Sequence, residues 1–132
     1  MLRYNSGFIM RKINMKVQFI CYPKCTTCQK AKKWLDENRV EYDLRDIKLD
    51  SPSYEELKKW YNESGLELKK FFNTSGLLYK EMDLKTKLLS MTEEEKIRLL
   101  ATDGMLVKRP LVVADGEVLV GFKEKEWAAK LL

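Results

Sequence analysis

Lys16-Val-Gln-Phe-Ile-Cys21 is a short run of β-branched and aromatic residues that stops at Tyr22-Pro23, and Cys25-Thr26-Thr27-Cys28 follows at once. Such a run bounded by proline reads as a strand. From Thr26 to Asn38 the apolar residues Cys28, Ala31, Trp34 and Leu35 recur at helical spacing, which predicts a helix with one buried stripe. Val40-Glu-Tyr-Asp-Leu44 then alternates apolar and polar, the pattern of a second strand. Strand, helix and strand in this order make a parallel β–α–β unit, with Cys25 at the strand-to-helix turn.

Working outward, Ser53-Tyr-Glu-Glu56 is a capping box that opens a helix carrying Leu57, Trp60 and Tyr61 and ending near Ser64-Gly65. A short piece at Leu68–Phe72 leads to a turn at Asn73-Thr-Ser-Gly76, and an apolar-periodic stretch runs from Met82 to Leu89. Thr92-Glu-Glu-Glu95 is a second capping box, whose helix stops at Asp103-Gly104. Leu111-Val-Val-Ala114 and Glu117-Val-Leu-Val120 flank Asp115-Gly116, the signature of a tight hairpin with a type I′ turn. A last helix from about Lys123 to Leu131 buries Trp127 and Leu131. The expected order is β–α–β, a helical insertion over about 48–106, then β–β–α. That is an α/β, thioredoxin-like fold with a central mixed sheet, in one domain from Met15 to Leu132. Residues 1–14, with three basic and no acidic side chains, read as a flexible N-terminal extension.

A length of 132 residues suits one domain with its own core. No apolar run approaches the roughly 18 residues of a membrane span, so no membrane association is expected. The formal charge of +5 looks like a nucleic-acid signal, but removing Arg3, Arg11 and Lys12 from the 25 basic residues leaves 22 against 20 acidic ones. The remaining charges alternate along helical segments as solvated faces do, and direct nucleic-acid binding is not expected. There is no histidine, which excludes Ser–His and Cys–His catalytic pairs and imidazole-built zinc sites. Three cysteines are an odd count, against a disulfide scaffold and against a four-cysteine zinc site within one chain. A thiol pair in a chain of this size is at home in the reducing cytoplasm.

Cys25 and Cys28 are three residues apart at a helix start, a spacing that lets two sulfurs form a disulfide while the first stays outside the helix end. Free backbone N–H groups and the positive end of the helix dipole stabilise a thiolate there, and Lys24 adds a weaker attraction. Cys25 would attack and Cys28 would resolve the mixed species. Half of an intermolecular zinc site and a pair of inert thiols remain as other readings. Cys21, four residues upstream of Cys25, reads as a small buried hydrophobe or as a backup thiol. Lys108-Arg109-Pro110 precedes the hairpin. In a thioredoxin-like core that position faces the cysteines and its proline is cis, so Arg109 would bring a permanent charge to hold an oxyanion or a thiolate. A surface arginine paired with one of the many glutamates is the plainer alternative.

The chain resembles the arsenate reductase / Spx family through Tyr22-Pro-Lys-Cys-Thr-Thr-Cys28, Lys69-Lys-Phe-Phe-Asn-Thr-Ser-Gly76, Leu106-Val-Lys-Arg-Pro-Leu-Val-Val113 and Gly121-Phe-Lys-Glu-Lys-Glu-Trp127. The resemblance implies a thiol–disulfide oxidoreductase with catalytic Cys25, Cys28 and Arg109, and a site shaped by Lys24, Thr26, Thr27, Asn73 and Pro110. It further implies glutaredoxin or thioredoxin as reductant and glutathione as co-substrate, with no metal or organic cofactor. Arsenate reductases of this kind surround the anion with three arginines. Only Arg109 is kept here, and the other two positions fall at Asn73 and Phe122. Cys28 is the second departure, since those enzymes lack a resolving thiol at that spacing. The Spx-type regulators have one, used as an oxidation switch, and bind the RNA polymerase α subunit. The alternative implied is such a regulator, with Gly65 as the contact to the polymerase.

Overall fold

The computed structural model describes residues 16–132, so the expected N-terminal extension lies outside the described residues. In chain order the elements are β1 (Val17–Cys21), α1 (Thr26–Glu37), β2 (Asp43–Asp46), α2 (Tyr54–Ser64), α3 (Leu77–Glu81), α4 (Leu84–Lys87), α5 (Glu93–Leu100), β3 (Leu111–Ala114), β4 (Glu117–Val120) and α6 (Glu124–Leu131). Three 3-10 turns, Leu68–Phe71, Leu88–Ser90 and Gly104–Leu106, complete the stretch between β2 and β3.

The strands lie side by side in the order β2-β1-β3-β4. β1 runs parallel to β2 and antiparallel to β3, and β3 pairs antiparallel with β4. This is the mixed sheet of a thioredoxin-like α/β fold. The hairpin turn takes Asp115 at φ 49° and Gly116 at φ 84°, both positive as a type I′ turn requires.

Strand alternation sorts the core into two layers. Val17, Phe19 and Cys21 point to one face, where they meet Ala31 and Leu35 of α1 and Trp127 and Leu131 of α6. Ile20, Leu111, Val118 and Val120 point to the other, against Leu57 and Trp60 of α2 and Ile97 and Leu100 of α5. Both capping boxes form: Ser53 and Glu56 close the start of α2, Thr92 and Glu95 that of α5. Gly65 ends α2 at φ 69°, a left-handed position that favours glycine.

Three local expectations shift. β2 begins at Asp43 rather than Val40, because Arg39 turns to φ 56° and the Val40 N–H still donates to Leu35 O at 3.0 Å. Val40 and Tyr42 pack against the core from outside the ladder. The Met82–Leu89 stretch is broken, since Asp83 sits at φ 53° and only Leu84–Lys87 is α-helical. Gly76 accompanies a turn from Asn73 and also opens α3, which the sequence reading left out. An antiparallel bridge between Phe72 and Val107, with Lys108 N–H donating to Phe71 O at 2.8 Å, fastens this inserted segment beside Arg109 and Pro110.

Candidate active site

Cys25 is the N-cap of α1, in extended backbone (φ −89°, ψ 123°), and its side chain does not cap the helix. Its N–H donates to Tyr22 O at 2.9 Å and its carbonyl accepts the first helical bond, from Gln29 N–H at 3.0 Å. The amides of Thr26, Thr27 and Cys28 therefore precede the helical ladder, and the first turn holds no acidic residue to compete for them. Thr26, Thr27 and Lys24 are exposed, Cys25 is half-buried and Cys28 is 2% exposed. None of the three cysteines is in a disulfide.

Cys28 is the centre of a chain of sulfurs. It shares a buried layer with Cys21, and half-buried Cys25 packs against that layer. It also accepts from Tyr22 N–H at 3.4 Å. The hydrogen bond with Cys21, followed by burial, holds the Cys28 proton far above the ordinary thiol range. The same bond pushes the Cys21 thiol down, against burial and the Asp46 carboxylate, which push it up. Cys28 therefore stays protonated at neutral pH, as a resolving thiol awaiting its partner should.

The Arg109–Pro110 peptide is cis and Pro110 is buried. The Arg109 guanidinium stacks over the Tyr22 ring at 5.2 Å and donates from Nη1 to Met105 O at 3.4 Å. Its buried Nε has no hydrogen-bond partner among the described residues. The arginine thus reaches the cysteine loop through Tyr22 and keeps donor capacity in reserve.

Beside it lies an open cavity of about 340 Å3 lined by Thr27, Leu66, Lys70, Lys108, Arg109, Val120, Gly121, Phe122 and Lys123. Four cations and no acid line it, and among the described residues Lys70, Lys108 and Lys123 make no side-chain ion pair. Unpaired positive charge around one concavity attracts anions. Of the residues singled out from sequence, Thr27 and Arg109 are brought together there, alongside Phe122. Asn73 is not among the lining residues; its backbone bonds to Leu106 and Gly76, and its amide packs over Gly76. Gly65 is exposed, with open space around it, next to the lining Leu66. The three lysines had no signal of their own, because the chain is rich in lysine and only the fold gathers them. Among the described residues no cluster of three or more metal-ligating side chains occurs, and no helix is long and apolar enough to cross a membrane.

The same fold recurs in proteins of known structure. An ArsC-family-related protein of Bacteroides fragilis superposes with a TM-score of 0.86 at 62% identity, covering 89% of this chain and 98% of that one. The arsenate reductase of Vibrio cholerae superposes at 0.77 with 27% identity, over 89% and 98% of the two chains. Among curated sequences, the uncharacterized protein YusI of Bacillus subtilis is 55% identical over 86% of this chain and 96% of its own length. The regulatory protein MgsR of the same organism is 27% identical over 86% and 89%. The profile of the ArsC family matches residues 21–130, from the cysteine loop through the inserted segment, Arg109 and the hairpin into α6, and the chain belongs to that family.

Proposed function

We propose that this protein is a cytoplasmic thiol–disulfide oxidoreductase in which Cys25 is the nucleophile and Cys28 the resolving thiol. The observation that carries the reading is the gradient across the pair: a half-buried sulfur at the N-cap of α1 and, one turn on, a buried thiol that keeps its proton. Cys25 attacks the oxidised substrate and displaces a leaving group. Cys28 then attacks the Cys25 sulfur, forming the Cys25–Cys28 disulfide, and its proton goes to the released, reduced product. An external thiol system, glutaredoxin with glutathione or thioredoxin, returns the two electrons. Arg109 and the lysines of the cavity favour an anionic substrate, and arsenate is the first to test, since a structural relative is an arsenate reductase. With one arginine in place of three, each missing charged hydrogen bond costs about 1.5–3 kcal/mol. The N–H groups at the start of α1 offset part of that.

A second reading, a redox-sensing regulator that binds the RNA polymerase α subunit, is favoured by the likeness to MgsR and by the exposed Gly65. The deciding experiment is an NADPH-coupled assay with arsenate, using glutathione plus glutaredoxin and, separately, thioredoxin. Turnover that disappears in Cys25→Ser establishes the enzyme. No turnover, together with capture of the polymerase α subunit that Gly65→Arg abolishes, establishes the regulator.

A further inference from the structure

The steps above leave Cys21 unused, although it is the third sulfur of the site. It closes β1, is 4% exposed, and lies in the same core layer as Cys28. The backbone holds the end of β1 against the first turn of α1, where both residues lie. Ile47 N–H donates to Cys21 O at 2.8 Å, fixing the end of β1 against the chain beyond β2, and Tyr22 N–H, the next amide after Cys21, points at Cys28 Sγ. Cys28 thus lies in one buried layer with Cys21, and half-buried Cys25 packs against that same layer.

We infer that Cys21 is a third redox thiol, which takes over the disulfide on Cys28 and sets Cys25 free again. The inference rests on the Cys25–Cys28 disulfide of the proposed function. In the oxidised protein the Cys21 sulfur attacks Cys28 Sγ. The Cys21–Cys28 bond forms as the Cys25–Cys28 bond breaks, and Cys25 leaves as a thiolate that takes up the proton Cys21 gave up. No external electron acceptor is needed, because one disulfide is exchanged for another. The product disulfide joins two buried residues, so an external reductant reaches it only after Cys25 has attacked it in reverse. One oxidising equivalent is then held inside the protein while the reactive thiol is restored.

The test identifies which cysteine is free in the singly oxidised chain. The full protein is treated with one equivalent of diamide and sampled over time, then acid-quenched, alkylated in denaturant and mapped by peptide mass spectrometry. The expected course is early protein with Cys21 alkylated, followed by a population with Cys25 alkylated that reaches about a tenth or more of the intramolecular disulfide, an exchange constant within tenfold of unity. In the same samples, native Cys25 regains reactivity with iodoacetamide. Cys21→Ser and, as a second variant, Cys21→Ala keep the disulfide at Cys25–Cys28 and never show free Cys25. A wild-type protein whose disulfide stays at Cys25–Cys28, with Cys21 alone alkylated throughout, overturns the inference and leaves the proposed function standing. A wild-type protein that forms no internal disulfide overturns both.

Discussion

Glu56→Gln removes one negative charge from the junction between β2 and α2 while keeping the shape of the side chain. The Arg45 guanidinium there bonds both Glu56 oxygens at 2.8 Å, Gln18 Oε1 at 2.9 Å, and the carbonyls of Asp50 and Ser51 at 2.9 and 3.2 Å. Bonding to Arg45 comes first, and with the Ser53 N–H it holds the Glu56 carboxyl down at about 2, against an ordinary 4.5. At roughly 1.4 kcal/mol per pH unit, linkage makes that depression equivalent to about 3.4 kcal/mol. The Glu56 side chain is 36% exposed, so screening by water reduces the figure to about 1.5–2 kcal/mol. Glutamine serves a capping box as well as glutamate does, so the cap survives and the charge alone is tested. Because the folded value lies below the unfolded one, the stabilisation is complete above about pH 4.5 and fades as pH falls toward 2. Urea unfolding followed by tryptophan fluorescence at pH 7, 5 and 3 should show the variant less stable by that amount at pH 7 and 5, with the gap shrinking at pH 3. A gap that is the same at pH 7 and pH 3 refutes the electrostatic account and leaves shape as the cause.

Three further outcomes are expected. Near pH 7, Cys25 alkylates at least about tenfold faster than Cys28, because Cys28 is buried and keeps its proton; equal or reversed rates by mass spectrometry remove the nucleophile assignment. Trp127→Phe removes the 3.1 Å bond from the indole Nε1–H to Gly121 O inside the core. The stranded acceptor costs about 1–3 kcal/mol, read as a lower urea midpoint, and a change below about 0.5 kcal/mol contradicts it. Gly104→Ala drives a methyl into the Ile47 carbonyl, a backbone atom that cannot swing aside. A loss of about 3 kcal/mol in stability is expected, and a variant that unfolds at the wild-type urea midpoint would show that the chain yields there at no cost.

The parts of the fold that were legible are those in which a local pattern and a tertiary demand coincide. The stripe of Cys28, Ala31 and Leu35, both capping boxes and the Asp115-Gly116 turn each specify their own geometry within a few residues. Where the sequence misled, a single left-handed residue intervened: Arg39 delays β2, and Asp83 breaks the Met82–Leu89 stretch. Neither is a glycine, so composition gave no warning. In the site, the spacing of Cys25 and Cys28 after a strand and at a helix start pointed to the pair, and the thioredoxin-like order to the cis peptide at Pro110. The cavity was not readable, because Lys70, Lys108 and Lys123 belong to three separate segments that meet only after folding. The shared burial of Cys21 and Cys28 depends on how the end of β1 abuts the first turn of α1, which no short-range pattern encodes.

The two-sided sheet has a consequence for how such a protein diversifies. The sulfurs belong to the layer shared with α1 and α6, whereas the inserted helices pack on the opposite face. Tyr22 is a narrow bridge between the two, packed with the inserted layer on one side and carrying Arg109 over its ring beside the cysteine loop on the other. Residues of the insertion can therefore be exchanged to suit a new customer, whether anion or protein, without repacking the layer that does the sulfur chemistry. The cationic cavity draws on both sides of the sheet, Thr27 and Phe122 from the sulfur layer and Leu66 and Lys70 from the insertion, so the insertion can retune its rim while the sulfur side stays fixed.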